Sequence, residues 1–245
     1  MSNKRLPLIL LIAMLWPPMV LSEKNPTDIP DAVIETGKRI FPNGVDSTDE
    51  TPIQGLFEMA SGTTVIYVSK DGKFAVEGDV FDLEEGENLT ERKRNLARKE
   101  IIANIDEKDM ITFTPEDTRH TITVFTDVDC GYCRKLHNEV SALNKAGIKV
   151  RYLGFPRAGP SSDTYKTMVS VWCADDRRKA MTNAKKGEPV PNKQCAHPLD
   201  RHIGLGGQVG VRGTPAIALE DGTLISGYLP AARLQDALEK RFHGR

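Results

Sequence analysis

Cys130 and Cys133 enclose Gly131 and Tyr132 at a point where an apolar strand, predicted over Ile122 to Phe125, gives way to a helix. The two intervening residues bring one thiol close enough to attack a disulfide formed at the other. The motif therefore requires a strand before it and a helix after it, and it predicts thiol redox chemistry with a partner molecule.

The position of Cys130 predicts an unusually acidic thiol. The thiolate is the attacking species in disulfide exchange, and a free cysteine with a pKa of about 8.5 supplies little of it at neutral pH. A helix beginning near Arg134 presents unpaired N–H groups and the positive end of its dipole, and thiols so placed in C-x-x-C motifs have pKa values of roughly 3.5 to 7.5. We therefore expect Cys130 to be an ionised, accessible nucleophile and Cys133 to be the resolving thiol.

The motif has two alternative interpretations, half of a zinc site and a structural disulfide across one helical turn. A zinc ion normally takes a second close pair of ligands. The other cysteines, Cys173 and Cys195, are far apart in the sequence and have no C-x-x-C or H-x-x-x-H pattern beside them. We therefore predict a catalytic dithiol without a metal ion or cofactor and keep the structural bridge as an alternative.

The N-terminus carries a compartment signal. Lys4 and Arg5 precede the apolar run from Leu6 to Leu15, and a site of small residues follows at Val20-Leu21-Ser22. This pattern predicts a cleavable secretory signal peptide over residues 1–22. An uncleaved membrane anchor is the alternative, although the apolar run is short for spanning a bilayer. Because 33 basic residues nearly balance 34 acidic ones, no general affinity for nucleic acid or anionic membranes follows.

Export affects how all four cysteines are interpreted. Disulfides persist outside the cytosol, and an even count permits two pairs. If Cys130 pairs with Cys133, then Cys173 is left to pair with Cys195. That bridge would close a loop of about twenty residues and stabilise the fold by roughly 3 kcal/mol, leaving catalysis to the first pair.

Residues 23–87 predict a small α+β domain. Turn signals and alternating apolar residues indicate a helix followed by short strands, over Ile29 to Phe41, Gly55 to Ala60, Thr63 to Val68, Lys73 to Val76 and Asp79 to Leu83. A module of about sixty residues buries a limited fraction of its surface. We therefore predict that it gains stability by pairing with a copy of itself, as a dimerisation domain.

Residues 88–108 predict a linker helix. Asn88 and Glu91 resemble a capping box, and apolar residues then recur at helical intervals as far as Glu107. A basic run, Arg92-Lys93-Arg94 with Arg98-Lys99, is interpreted as a solvated face of this helix and not as a nucleic-acid site.

Residues 109–245 predict a thioredoxin-like α/β domain. A strand from Thr121, a helix to about Ala146 and a strand over Ile148 to Phe155 form a β-α-β unit. A helical insertion over about 161–210 follows, and then come a hairpin and a final helix. Their predicted ranges are Pro215 to Leu219, Thr223 to Tyr228 and Ala231 to Phe242.

Several motifs in this domain resemble the periplasmic DsbC-type protein-disulfide isomerases. They occur in the family's order and are Val124-Phe125-Thr126-Asp127, Cys130-Gly131-Tyr132-Cys133-Arg134-Lys135-Leu136-His137, Arg151-Tyr152-Leu153-Gly154-Phe155-Pro156-Arg157, Trp172-Cys173-Ala174, Gly213-Thr214-Pro215-Ala216, and Asp221-Gly222-Thr223-Leu224 with Gly227-Tyr228. The similarity is dense over Thr121 to Tyr228 and thinner before it.

The resemblance implies a periplasmic homodimer shaped like a V and joined through its N-terminal domains. An apolar cleft between the arms would hold misfolded secreted proteins, and an inner-membrane thiol donor of the DsbD type would keep the dithiol reduced. The family's attacking and resolving roles are carried over to Cys130 and Cys133. Its structural disulfide is carried over to Cys173 and Cys195, the same pairing that the even number of cysteines suggested.

The resemblance also reverses one prediction made from the residues. A Thr214–Pro215 bond is expected to be trans on general grounds, but the family holds a cis-proline loop against the dithiol. Thr214 and Pro215 then become substrate-contact residues, and Gly131 and Tyr132 would leave space for the substrate and modulate the redox potential.

Two residues near the motif have open roles. Relatives often carry histidine where this chain has Arg134, whose charge could stabilise either thiolate. His137 could tune the pair as well, or simply pack against its neighbours.

The leading hypothesis is therefore a disulfide isomerase. The alternatives are a reductase of oxidised single cysteines similar to DsbG, a net oxidase of the DsbA type, and a dimeric holdase chaperone that binds unfolded chains without turnover. The redox state of the active-site pair in cells separates repair from oxidation.

Overall fold

The computed structural model describes residues 29–243. The predicted signal peptide, residues 1–22, lies outside the described residues, as do the first residues of the predicted N-terminal domain. None of the helices within residues 29–243 has the length and apolar character needed to cross a membrane.

The N-terminal module, residues 31–88, contains one helix and short antiparallel strands. Its elements are α1 (Asp31–Ile40), β1 (Ser47–Glu50), β2 (Leu56–Ser61), β3 (Thr64–Ser69), β4 (Ala75–Val76), β5 (Phe81–Asp82) and β6 (Glu87–Asn88). Strands β1 to β4 form one sheet in sequence order, and β5 pairs with β6. The sequence analysis missed β1, because an edge strand of polar residues carries no apolar periodicity.

The core of the N-terminal module is small. Val33 of α1 packs against Phe57, Met59 and Val68 of the sheet. Gly37 allows this close approach, since a Cβ atom there would lie 2.0 Å from the Met59 side chain. A larger side chain at Gly37 would therefore have to displace the end of the Met59 side chain.

Helix α2 (Leu89–Ala103) links the two parts of the chain, and the Asn88 side chain accepts a hydrogen bond from the Glu91 N–H at 2.8 Å. The helix ends four residues before the predicted Glu107. The prediction that Arg98 belongs to a solvated face is wrong, because its side chain is 4 % exposed. Its guanidinium donates to carbonyls beyond the helix, those of Val209 at 2.9 Å and Gly222 at 2.7 Å.

The C-terminal part, residues 111–242, surrounds a five-stranded sheet with helices. Its elements are β7 (Ile111–Phe113), β8 (His120–Thr126), α3 (Gly131–Asn138), α4 (Val140–Lys145), β9 (Ile148–Gly154), α5 (Asp163–Trp172), α6 (Arg177–Lys186), α7 (Leu199–Gln208), β10 (Ala216–Ala218), β11 (Leu224–Ser226) and α8 (Ala231–Phe242). The strand order is β11-β10-β8-β9-β7, and only β8 and β9 are parallel.

This arrangement confirms the thioredoxin-like fold with a helical insertion, which α5, α6 and α7 form. The helix predicted to continue to Ala146 is divided in two at Glu139. The Glu139 carboxylate instead accepts hydrogen bonds from the Tyr228 hydroxyl and from the Ala231 N–H, and so ties this junction to the start of α8. The largest buried cluster lies between the sheet and these helices and includes Trp172 and Tyr152.

Candidate active site

Cys130 lies at the boundary between the central strand β8 and helix α3, as the N-cap residue of that helix. Its sulfur accepts a hydrogen bond from the Cys133 N–H at 3.4 Å. Both cysteines are free thiols. The strand–helix junction thus places one sulfur where the otherwise unpaired N–H groups of the first helical turn point.

The loop that precedes β10 brings a distant segment onto the dithiol. The Thr214–Pro215 peptide bond is cis. The Cys130 thiol donates to the Thr214 carbonyl at 3.1 Å, although the two residues are 84 positions apart. The predicted site residues Cys130, Cys133, Thr214 and Pro215 therefore lie together in the structure.

The accessibility expected of Cys130 is not found. The residue is only 3 % exposed and Cys133 only 1 % exposed, because the Thr214–Pro215 loop covers the thiols. The residues around Cys130 are open, however, since Asp129 and Gly131 are exposed and Tyr132 is 64 % exposed. A substrate sulfur must therefore displace the hydrogen bond to the Thr214 carbonyl in order to reach Cys130.

Burial raises the pKa of the Cys130 thiol, but several groups outweigh it and leave the pKa below its ordinary value. The largest is the Thr214 side chain, followed by the backbone and side chain of Cys133 and the positive charge of Arg157. Hydrogen-bond donors and a cation favour the charged form. The geometry thus favours a thiolate at Cys130.

The pKa of Cys133 moves in the opposite direction. Burial raises it above the ordinary value, and the Lys185 charge, the Asp127 backbone and the side chains of Thr126 and Thr214 offset only part of this effect. The Thr214 hydroxyl is buried and forms no hydrogen bond with normal distance and angle. It nevertheless lies near enough to both sulfurs to lower the pKa of each. Cys130 is therefore ionised more readily than Cys133.

Gly131 and Tyr132 shape the open side of the site. A Cβ atom at Gly131 would have no neighbour within 4 Å, so the glycine is not required by packing inside the chain. The Tyr132 ring stacks on the Tyr228 ring with centroids 6.2 Å apart. The Lys135 Nζ atom lies 4.8 Å from the centroid of the Tyr228 ring. The exposed Tyr132 ring and the half-buried Tyr228 ring offer an apolar surface beside the dithiol.

Arg157 and Lys185 are the cations whose charges lower the pKa values of the two thiols, whereas the sequence pointed to Arg134. Arg134 donates to the Val128 carbonyl at 2.8 Å and to the Asp129 carboxylate at 3.0 Å. The sequence analysis assigned no role to Arg157 or Lys185, whose charges act on Cys130 and Cys133 respectively. No local sequence signal distinguishes Lys185 from the exposed lysines of the same helix.

His137 packs within the core below the motif. Its ring nitrogens lie 3.1 Å from the Tyr152 hydroxyl and 3.0 Å from the Thr182 hydroxyl. Burial, assisted by the charges of Lys185 and Lys186, lowers its pKa to about 4. His137 is therefore a neutral packing residue at physiological pH.

The second cysteine pair lies in the helical insertion. Cys173 and Cys195 form a disulfide with a Cα–Cα distance of 5.7 Å. The bridge attaches the end of α5 to the segment that precedes α7.

Comparison with known proteins agrees with this geometry. Residues 106–242 match the family described as a thioredoxin-like domain, and residues 30–91 match the N-terminal domain of disulfide bond isomerase proteins. With a free dithiol at the start of α3, these matches define the class of the protein: it is a thiol-disulfide oxidoreductase of the thioredoxin fold.

The relatives make the assignment more specific. The thiol:disulfide interchange protein DsbC of Escherichia coli K12 is 37 % identical over 199 residues, which are 80 % of this chain and 83 % of that protein. The Salmonella typhimurium DsbC is 40 % identical over 189 residues, 76 % of this chain and 78 % of that one. The chain belongs to the DsbC family of thiol:disulfide interchange proteins.

A solved structure shows the same fold. The disulfide interchange protein from Neisseria gonorrhoeae, known from a crystal structure, is 30 % identical in sequence to this chain. The match has a TM-score of 0.50 and covers 56 % of this chain and 97 % of that one. Membership of the DsbC family supports the periplasm as the compartment and a homodimer that acts on disulfide substrates.

Proposed function

We propose that this protein isomerises or reduces wrong disulfides in exported proteins, with Cys130 as the attacking thiolate and Cys133 as the resolving thiol. The observation that carries the proposal is the free dithiol at the start of α3, where the Cys130 sulfur accepts a hydrogen bond from the Cys133 N–H and lies against the cis Thr214–Pro215 loop. The pKa shifts agree with it, since the pKa is lowered at Cys130 and raised at Cys133. A nucleophile that is ionised before its partner gives the exchange a direction.

In the first step the Cys130 thiolate attacks one sulfur of a wrong substrate disulfide. A bond forms between Cys130 and that sulfur, and the second substrate sulfur leaves as a thiolate that takes up a proton. A different cysteine thiol of the substrate can then attack the substrate sulfur of the mixed disulfide, forming a new substrate pairing and releasing the Cys130 thiolate, which is isomerisation. Electrons are neither gained nor lost by the enzyme in this cycle.

In the second route Cys133 resolves the mixed disulfide. Its sulfur bonds to Cys130, the bond from Cys130 to the substrate breaks, and the substrate leaves reduced. The enzyme is then oxidised and must be reduced again. We propose a membrane thiol reductant of the DsbD type as the donor.

Substrate binding is assigned to four residues around the dithiol. The Thr214 carbonyl already accepts a hydrogen bond from Cys130 and lies where a substrate backbone would pair with the Thr214–Pro215 loop. Gly131 leaves open space above the sulfur, and Tyr132 provides an exposed ring. Backbone pairing with little side-chain selection suits an enzyme that acts on many unfolded chains.

We further propose that residues 23–87 form the dimerisation domain, that residues 88–108 link it to a catalytic domain over 109–245, and that residues 1–22 are a cleaved signal peptide. Large apolar side chains at the surface of the N-terminal module support an interface there, namely Phe74, Val76, Phe81 and Leu83. Deleting residues 22–83 is expected to give a monomer that keeps thiol exchange and loses most isomerisation. A truncated chain that still sediments as a dimer contradicts these domain assignments.

The decisive test is refolding of a protein with scrambled disulfides. The Cys130→Ser variant should give no recovery above the uncatalysed rate. The Cys133→Ser variant is the matched control, since it keeps the nucleophile and should accumulate mixed disulfides that a reducing gel removes. Undiminished recovery with Cys130→Ser refutes the proposal.

The exposed apolar residues of the N-terminal module also favour a second candidate, a holdase chaperone. Suppression of aggregation by a variant lacking both active-site cysteines would establish that activity beside catalysis. A preference for oxidised single cysteines over scrambled disulfides would instead support the reductase alternative.

A further inference from the structure

Lys185 of helix α6 is a buried cation below the active site. Its side chain is 3 % exposed, and its Nζ atom donates to the Thr126 hydroxyl oxygen at 2.6 Å and to the Asp127 carbonyl at 2.8 Å. Among residues 29–243, no carboxylate oxygen lies within the 4.0 Å of a salt bridge to this atom. Burying a lysine charge without a counter-ion costs several kcal/mol, on the order of the whole stability margin of many proteins.

Thr126 connects this cation to the resolving cysteine. An ammonium group only donates hydrogen bonds, so Lys185 takes a lone pair of the Thr126 oxygen and leaves the hydroxyl hydrogen free to point elsewhere. That hydroxyl lies near enough to the Cys133 sulfur to lower its pKa, as does the charge of Lys185 itself. Thr126 therefore has its oxygen toward the cation, and its hydroxyl hydrogen remains available to the thiol.

The other charged groups around Lys185 leave Cys133 as its natural counter-ion. Burial lowers the pKa of Lys185 to about 8, while Cys133, Asp127 and Cys130 act in the opposite direction and Arg134 adds to the lowering. The Asp127 carboxylate is already bound by Arg157 at 3.0 Å. Two further groups face the lysine: His137 on α3, which is neutral, and the Tyr152 ring, 5.9 Å from Nζ.

We propose that Lys185 is a positioning residue for the resolution step, acting through Thr126 to stabilise the Cys133 thiolate as that sulfur attacks Cys130. The inference rests on the proposed function, because it assumes that Cys133 resolves a mixed disulfide. Cys133 loses its proton, its electron pair forms the bond to Cys130, and the bond from Cys130 to the substrate breaks. The substrate sulfur leaves with that bond's electrons and takes up one proton.

The charge has an effect on rate whose size depends on pH. Without the cation the pKa of Cys133 rises, so less thiolate is present below that pKa. A more basic thiolate is also a stronger nucleophile, with a Brønsted coefficient of about 0.4–0.5, so one pKa unit costs about threefold in rate at low pH instead of tenfold. Above its own pKa of about 8, Lys185 loses its charge in the wild-type protein, so the rates of the wild type and the variant should converge there.

The first experiment measures the pKa of Cys133 alone, by the ultraviolet absorbance of its thiolate in a Cys130→Ala background. Lys185→Met keeps the length of the side chain and removes the charge, and we expect it to raise the pKa by about one unit. Lys186→Met is the matched control, because it removes the neighbouring exposed charge and should leave the pKa nearly unchanged. Equal pKa values with and without the Lys185 charge overturn the proposal.

The second experiment follows resolution in the chain with both cysteines. Ellman's reagent forms a mixed disulfide at Cys130 and releases one coloured thiolate, and attack by Cys133 then releases a second. The second phase should be about threefold slower in Lys185→Met at low pH and should approach the wild-type rate above about pH 8, where Lys185 itself loses its charge, so that the two pH profiles converge. A uniform slowing at every pH would mean a merely structural role and would overturn the proposal.

The outcomes separate this inference from the proposed function. If the wild-type protein releases no second thiolate, Cys133 is not the resolving thiol and the proposed function is wrong at that step. If the wild type resolves normally and Lys185→Met follows the same pH profile, only the role of Lys185 is wrong.

Thr126→Val provides a variant that does not alter the lysine. It keeps the shape of the side chain and removes the hydroxyl that joins Lys185 to Cys133. We expect the pKa of Cys133 to rise in the same direction and by less than in Lys185→Met. If Lys185→Met does not fold, this variant decides, and an unchanged pKa of Cys133 in Thr126→Val overturns the proposal.

Discussion

The chain contains two cysteine pairs, and the more buried pair is the free one. Cys130 and Cys133 are free and at most 3 % exposed, whereas Cys173 is half-buried and Cys195 is exposed, and these two form the disulfide. Exposure therefore does not decide which pair carries out exchange. The difference lies in where each sulfur stands relative to a helix.

Cys130 is the N-cap of α3, and Cys173 is the C-cap of α5. The N-terminal end of a helix carries partial positive charge and stabilises a thiolate, whereas the C-terminal end carries partial negative charge and destabilises it. The dithiol and the disulfide thus lie at opposite ends of their helices, and helix polarity distinguishes the two cysteine pairs within one domain.

The largest expected difference between the pairs is in exchange rate. Replacing Cys130 with serine should lower thiol exchange by at least about a thousandfold, because the nucleophile is lost. Replacing both Cys173 and Cys195 with alanine should leave the rate within about threefold in the folded protein. Reduction of insulin disulfides measures both. The comparison is contradicted if the Cys173→Ala/Cys195→Ala variant loses thiol exchange as completely as the Cys130→Ser variant does.

For the free energy of unfolding the order should be reversed, with the larger loss expected when the disulfide pair is replaced. The disulfide joins residues 22 positions apart, and its loss is expected to lower the free energy of unfolding by about 3 kcal/mol. Urea unfolding of the Cys173→Ala/Cys195→Ala variant provides the value. The Cys130→Ala/Cys133→Ala variant should lose less, and an equal loss would show that the dithiol is as structural as the bridge.

A smaller effect depends on pH and comes from two buried histidines, His137 on the active-site side and His202 in the helical insertion, because burial lowers the pKa of each to about 4. Burial holds the pKa of His137 at about 4 in the folded protein, against about 6.5 when unfolded, so the unfolded chain binds more protons between these values. Stability from the neutral histidine is complete above the unfolded pKa and is lost as the pH falls. Between about pH 7.5 and about pH 5 the loss should be about 2 kcal/mol.

Variants at two histidines isolate that effect. His137→Gln should remove about half of the pH dependence of the unfolding free energy, because His202 has the same lowered pKa and contributes a similar loss. His243→Gln, at an exposed position, should keep all of it. An undiminished pH dependence in His137→Gln would show that other groups cause it.

The sequence revealed the elements that have strong local signals. The dithiol, the apolar strands and the final helix over Ala231 to Phe242 were all predictable, because periodicity and turn residues mark them. Strand β1 was not, since polar edge residues have no such pattern. Glu139 interrupts the active-site helix through contacts with Tyr228 and Ala231, about ninety positions away, and no local pattern reports those.

The parts of the site that come from distant elements were also missed. Arg98 looked like one more surface charge of a basic helix, but carbonyls from two later loops bury it. Lys185 lies in a lysine-rich helix whose other lysines are exposed, and only the packing of α6 below β8 distinguishes it. Tertiary contacts give these two residues their roles, so propensity and motif spacing could not.

The most direct test of the account is the pH dependence of Cys130 ionisation. The rate of alkylation by iodoacetamide, measured at Cys130 by mass spectrometry in the reduced protein, reports its thiolate at each pH. The helix N-cap position, the Thr214 side chain and the Arg157 charge predict a midpoint below that of a free cysteine, about 8.5. A midpoint at or above that value would contradict the claim that this sulfur is prepared for attack.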